Sequence, residues 1–257
     1  MGKTLTERTY VWAHRGACGA PIGSSPAANV PENTMPAFEL AAELGADGVE
    51  TDVHFSKDGK IVLMHDPKLE RTSNGQGLVT DYTFEELQVF DFGIKIGKDF
   101  KGTRIPTMDD LFELCRRTGM IVNVEIKSND PLMPAALDEC AKKHNMQDGV
   151  LYSSFDHEQL ARMLRVNPSA FVAPLYGFNM VKPWDYAANI PAKATHPRSN
   201  QLDLYPEYVD KCHALGVRVH PWTVDDPDEA VKLAAMGCDA LITNQPAKIM
   251  AALGLKK

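Results

Sequence analysis

The sequence predicts an α/β fold, a (β/α)8 barrel built from some eight strand–helix steps. Three observations lead there. The chain has 257 residues, the typical length of one such barrel. Strand-like and helix-like segments alternate along it with short connections and no break in composition, which predicts a parallel sheet and one domain over residues 1–257. No Gly-rich nucleotide fingerprint follows the first strand, which disfavours a doubly wound open sheet.

The elements follow in order. Val11–His14 reads as a short strand. Asn33 or Thr34 caps a helix that tolerates Pro36 in its first turn and runs to about Leu44, where Gly45 ends it. Val49–Phe55 is the second strand, and Lys57-Asp58-Gly59-Lys60 turns the chain tightly into the apolar run Ile61–Met64. Residues 66–104 are polar and Gly-rich, with one short helix near Thr83–Val89, and read as a small insertion after strand two. Met108–Arg117 is the delayed helix, Ile121–Lys127 a strand and Pro134–His144 a helix.

The second half keeps this rhythm. Val150–Ser153 is a strand, His157–Arg165 a helix and Phe171–Leu175 a strand. Between Gly177 and Asn200, Pro183, Pro191 and Pro197 break any long helix and leave the stretch without a clear reading. Tyr205–Leu215 is a helix, Val217–Trp222 a strand, Pro227–Met236 a helix and Ala240–Ile242 the last strand.

Composition narrows the function classes. The formal net charge of −7 argues against a broad nucleic-acid footprint and requires local cations at any site for an anionic substrate. The five cysteines form no CxxC pair and are odd in number, as expected of a reduced, cytoplasmic protein. No stretch is apolar enough to span a membrane, and Met1–Tyr10 lacks the apolar core of a signal peptide.

Chemistry enters through two alternating strands. Successive side chains of a strand point to opposite faces, so Glu50, Asp52 and His54 share one face and Asn123, Glu125 and Lys127 share the corresponding face of another strand. Three inward carboxylates repel one another unless a cation sits among them, because unpaired buried charge is costly. One divalent cation bound by oxygen, Mg²⁺ or Ca²⁺, answers that need. The remaining candidates also fall at strand ends, where a barrel builds its site: His14-Arg15-Gly16, His65-Asp66, Ser154-Phe155 and His220-Pro221-Trp222-Thr223.

In its ordered motifs the chain resembles the glycerophosphodiester phosphodiesterases. The matching elements are His14-Arg15-Gly16, Pro31-Glu32-Asn33-Thr34, Glu50-x-Asp52, Lys57-Asp58-Gly59, His65-Asp66, Arg71-Thr72-x-Asn74-Gly75, Ile105-Pro106-Thr107, Glu125-Ile126-Lys127, Ser154-Phe155, Trp222-Thr223-Val224 and Ile242-Thr243. The resemblance implies a TIM barrel with a small insertion after strand two, and hydrolysis of a glycerophosphodiester to sn-glycerol 3-phosphate and an alcohol. It puts the metal ligands on Glu50, Asp52 and Glu125, the acid/base pair on His14 and His65, and phosphate contacts on Arg15 and Lys127. Three departures stand out: a long loop between Gly16 and Pro31, His54 where many members differ, and Asn244 where an Asp is common.

Elementary chemistry is consistent with those roles. A phosphodiester needs its oxygens neutralised and protons supplied in both directions; a divalent cation, Arg15 and Lys127 serve the first need, two histidines the second. Trp222 and Phe155 offer an apolar wall to the glycerol carbons, whereas Glu32 and Asn33 either contact substrate or anchor the loop. His54 and His220 are read as polar packing or as support for the groups that touch metal or substrate, rather than as catalysts. The expected partner is a small glycerophosphodiester, without nucleic acid or stable membrane insertion. Two alternatives remain: a lysophospholipase D-like phosphodiesterase, and a non-catalytic glycerol phosphate-binding barrel.

Overall fold

The computed structural model describes residues 8–19 and 29–255. Eight strands pair in parallel around a barrel: β1 (Tyr10–Ala13), β2 (Gly48–Phe55), β4 (Ile121–Ile126), β5 (Val150–Ser154), β6 (Val172–Tyr176), β7 (Ala194–Pro197), β8 (Arg218–Val219) and β9 (Ala240–Thr243). They lie in the order β8-β7-β6-β5-β4-β2-β1-β9. Three backbone hydrogen bonds bridge the seam between β8 and β9: Asp239 N–H to Val219 at 3.0 Å, Ile242 N–H to Pro221 at 3.1 Å and Val224 N–H to Ile242 at 2.9 Å.

Helices separate the strands: α1 (Met35–Leu44), α3 (Met108–Thr118), α4 (Met133–Lys143), α5 (His157–Val166), α6 (Pro183–Asn189), α7 (Tyr208–Ala214), α8 (Pro227–Ala235) and α9 (Pro246–Ala252), with the short α2 (Phe84–Leu87) in the insertion. Local chemistry sets several of their ends. Thr34, not Asn33, is the N-cap of α1, and Gly45 closes that helix in the left-handed region at φ 83°. Thr107 accepts from the Asp110 N–H while the Asp110 carboxylate takes the Thr107 N–H at 2.8 Å, a reciprocal cap for α3.

The extra strand β3 (Ile61–Leu63) returns antiparallel along β2, with Val53 opposite Leu63 and Phe55 opposite Ile61. The insertion packs on a small core of its own around Met64, Leu69, Val79, Leu87 and Phe92. The stretch without a clear reading holds both α6 and β7; the expected strand Val217–Trp222 is paired regularly over Arg218–Val219 alone. The long Gly16–Pro31 loop falls largely outside the described residues. No helix among those described is long and apolar enough to cross a membrane.

Inside the barrel the lower layer is Trp12 surrounded by Leu151, Ala173, Ala194, Ala240 and Ile242. The small residues make room for the indole. A Cβ at Gly48 would stand 2.6 Å from the Ile121 carbonyl oxygen and 3.0 Å from Trp12 Cδ1, so β2 approaches β4 and the Trp here only as glycine. Above this layer the interior turns polar.

Candidate active site

Strand register gathers the acids. In the parallel β2–β4 pair, Glu50 lies opposite Asn123 and Asp52 opposite Glu125, so the two alternating faces coincide. One carboxylate oxygen from each of Glu50, Asp52 and Glu125 lies within 4.8 Å of the others, and the residues are 3 %, 0 % and 7 % exposed. Lys127 Nζ reaches Glu125 Oε1 at 2.7 Å and Asp52 Oδ1 at 3.5 Å; Arg15 Nε lies 3.5 Å from Asp52 Oδ2.

This arrangement separates the three acids electrostatically. Burial, then the charges of Asp52 and Glu125, push the Glu50 carboxyl well above its ordinary value. Burial and Asp52 push Glu125 up to about 7, against the pull of Lys127. Burial acts on Asp52 as well, but Arg15, Lys127 and the Asn33 hydrogen bond outweigh it and bring its pKa below the usual range. Asp52 Oδ1, fully buried, accepts no hydrogen bond among the described residues. An all-carboxylate set with an unused buried oxygen fits a hard cation, and the three acids fit it together.

The β1 end places His14 and Arg15. Arg15 takes a left-handed conformation at φ 55°, and Gly16 follows at φ 80°, where a Cβ would meet Ala37 at 2.7 Å. This turn lets the Arg15 N–H donate to Glu50 Oε2 at 2.9 Å while its guanidinium donates to Glu32 Oε1 at 3.0 Å. His14 Nε2 stands 3.8 Å from Glu50 Oε2, and Nδ1 lies 2.8 Å from Asn244 Oδ1. Burial first, then Arg15, lowers the His14 pKa.

His65 arrives by a different route. Because β3 runs back along β2, the chain returns to the level of Asp52, where the Met64 N–H bonds the Asp52 carbonyl at 3.0 Å. His65 Nδ1 meets Asp66 Oδ1 at 2.6 Å. Arg71 holds Asp66 (2.6 Å, Nε to Oδ2) and Glu32 (2.7 Å, Nη2 to Oε1), which continues to Arg15. The Arg71 hydrogen bond, joined by that of His65, sets the Asp66 pKa far below the carboxylate range and outweighs burial, which raises it.

A cavity of about 140 Å³ brings together His14, Arg15, Glu50, His65, Glu125, Lys127, Phe155 and Trp222 among the predicted residues. Phe155 stands edge-on to Trp222 at 5.5 Å, with Lys127 Nζ 5.7 Å from its ring centre. Asp52 is fully buried and does not line the cavity. Glu32 lies in the salt-bridge chain outside it, lining a neighbouring cleft. Asn33 is 2 % exposed: its amide donates to Asp52 Oδ2 at 2.8 Å and its oxygen accepts from Thr51 Oγ1 at 2.8 Å, so it braces Asp52 rather than facing the opening.

His54 and His220 are buried, with His54 Nε2 donating to the His65 carbonyl at 3.1 Å and His220 paired to His196 at 3.0 Å. Sequence reasoning named Asp66, Arg71 and Asn244 within motifs without assigning them a place in the site, and passed over Asp225 and His196. An acid directly after His65 was the available signal for Asp66; for Asp225 there was none, since nineteen positions separate it from Asn244.

The model of the glycerophosphoryl diester phosphodiesterase family matches residues 14–248. The chain is 40% identical to a glycerophosphodiester phosphodiesterase of Caldanaerobacter subterraneus subsp. tengcongensis, over 93% of this chain and 95% of that one. It is 35% identical to one of Bacillus altitudinis over the same shares. An Oleispira antarctica phosphodiesterase solved in complex with the product sn-glycerol-3-phosphate superposes with a TM-score of 0.86 at 30% identity, covering 96% of this chain and 97% of that one.

Proposed function

The chain belongs to the glycerophosphoryl diester phosphodiesterase family, and from that premise we propose that it hydrolyses glycerophosphodiesters with one divalent cation and two histidines, releasing sn-glycerol 3-phosphate and an alcohol. One observation carries the reading: a single cavity joins His14 and His65 to the clustered acids Glu50 and Glu125 and the cations Arg15 and Lys127.

Glu50, Asp52 and Glu125 are the residues that would hold Mg²⁺ or Ca²⁺; when bound, the ion polarises the phosphoryl group and offsets the three acids. Arg15 and Lys127 add donors for the phosphoryl oxygens, Arg as a planar fork and Lys as a point charge. The Asn244 side-chain N–H is taken by Asp225 Oδ2 at 2.7 Å, so Oδ1 faces His14 and Nδ1 there carries the proton. That leaves the Nε2 lone pair of a neutral ring directed at the site, which suits His14 to take a proton from the nucleophile. His65 has the carboxylate of Asp66 on Nδ1, which compensates the charge of a doubly protonated ring and suits it to protonate the departing oxygen. The two rings exchange states in each turnover and are reset through solvent.

The test is release of sn-glycerol 3-phosphate from glycerophosphocholine, with and without a chelator. Activity that needs a divalent cation and disappears in both His14→Ala and His65→Ala supports the proposal; chelator-resistant activity overturns the metal role.

A second reading has its own observation. Leu132, Phe155, Phe178 and Val181 are 68 %, 49 %, 61 % and 79 % exposed, and they lie in the loops that leave three adjacent strands, β4, β5 and β6, at the active-site end. An apolar arc there suits a substrate with an acyl chain. Hydrolysis of lysophosphatidylcholine faster than glycerophosphocholine, reversed by Phe178→Ser, would favour it.

A further inference from the structure

At the opposite end of the barrel from His14, the strand N-termini surround a cavity of about 530 Å³, a volume typical of small-ligand pockets and larger than the active-site cavity. Part of its wall comes from alternate positions along two strands, and the rest from the connections that lead into β4 and β5. Tyr10 and Trp12 follow one another on the inner side of β1, as do Arg218 and His220 at β8, while Ile121 and Phe171 add apolar surface.

Two features set it apart from a packing gap. Trp12 and His220 are 2 % and 1 % exposed, yet Trp12 Nε1 and His220 Nε2 have no hydrogen-bond partner among the described residues. Buried polar groups are nearly always satisfied, so two orphans on residues that line one cavity point to a missing partner. His220 Nδ1 and His196 Nε2 share one proton across 3.0 Å; with that proton on His196, His220 presents Nε2–H.

The second feature is Arg218. Among the described residues it forms no ion pair within 4.0 Å; Asp239, whose charge it feels, is engaged by His213 Nε2 and the Val219 N–H, each at 2.8 Å. Burial lowers its pKa, as expected of a cation short of a counter-ion. Its guanidinium lies 5.5 Å from the Phe171 ring centre, with Lys193 Nζ at 5.9 Å from the same ring. Of the acids at the mouth, Asp47 is taken by Arg8 and the Val11 N–H, and Asp148 sits exposed at the outer lip. The hydrolytic mechanism uses none of these groups.

We propose that this end of the barrel is a second ligand site, for a small organic carboxylate with an apolar or aromatic body. The carboxylate meets Arg218, the Trp12 indole N–H and His220; the body packs on Phe171, Ile121 and Tyr10. The site is independent of the catalytic reading.

The probe is phenylacetate, titrated calorimetrically into the intact protein, with phenylacetamide as the uncharged control. Phenylacetate is expected to bind one to one. Affinity should fall about tenfold or more in Arg218→Gln, the usual worth of a charge-assisted hydrogen bond, and stay unchanged in Arg15→Gln at the other end. Phenylacetamide should bind wild type and Arg218→Gln equally. In the wild-type protein, a measurement that needs no variant, the Nε1–H resonance of Trp12 should shift on titration and that of Trp222 should not. Equal affinity in wild type and Arg218→Gln overturns the proposal, as does equal weakening by Arg15→Gln. So does the lack of saturable binding by both phenylacetate and 4-phenylbutyrate. Binding that appears only after removal of residues 1–7 would assign the cavity to the chain's own N-terminus, and overturns it as well.

Discussion

The Asn244 side-chain oxygen lies 2.8 Å from His14 Nδ1, and that single contact fixes which nitrogen of the ring faces the acids. The amide orients the imidazole and favours its charged form too weakly to offset burial and Arg15, whereas a carboxylate there would favour that form more strongly. Asn244→Asp should therefore raise the His14 pKa. As the proposed base works neutral, the acidic limb of kcat/KM should move to higher pH. An unmoved limb, or one shifted to lower pH, would remove His14 from the base role.

Glu125 can be isolated by an isostere. Its pKa in the fold is raised to about 7, above the ordinary value of about 4.5, so its contribution to stability is present below the ordinary value and is lost as pH rises through about 7. Without metal, Glu125→Gln should melt above wild type at pH 8 and close to it at pH 5. With Mg²⁺ or Ca²⁺ in excess the order at pH 8 should reverse, because ligand binding then stabilises the wild type alone. Differential scanning calorimetry at two pH values, with and without chelator, checks both signs.

The two histidines should separate by leaving group. His14→Ala and His65→Ala should each lower turnover by about 100-fold or more, the usual worth of a positioned acid or base. p-Nitrophenolate departs without protonation, so a p-nitrophenyl ester of glycerol phosphate should partly rescue His65→Ala and leave His14→Ala impaired. Equal rescue of both would overturn the division of labour.

Arg71 should act through geometry. It clamps Asp66 and Glu32, and through them His65 and Arg15, without lining the active-site cavity. Arg71→Gln should lower kcat by about tenfold, with a smaller change in KM, because a displaced acid costs more in the transition state than in binding. A change in KM alone would place Arg71 at the substrate instead.

Trp222 should set recognition of the glycerol half. Its ring forms one side of the cavity against Phe155, and its Nε1–H is spent on the His196 carbonyl at 2.9 Å. Trp222→Ala should raise KM by a similar factor for choline, ethanolamine and glycerol head groups. A changed preference among head groups would place the ring on the alcohol side.

Much of this was legible along the chain because strand alternation is a local rule. Glu50 and Asp52, or Glu125 and Lys127, must share a face wherever those strands form, and the order of motifs places them at one end of a parallel barrel. Tertiary structure decided the rest. The β2–β4 register sets Asp52 opposite Glu125 and so makes one site of two faces. The antiparallel return of β3 carries His65 to it, and Arg71 reaches across thirty-nine positions to Glu32. Strand β7 and its buried His196 escaped reading because a four-residue strand that ends on Pro197 carries no periodicity, and only neighbouring strands hold it extended. Asn33 shows the same limit: its sequence position allowed either substrate contact or bracing, and only the packing of Asp52 and Thr51 around its amide assigned both of its polar atoms to the interior.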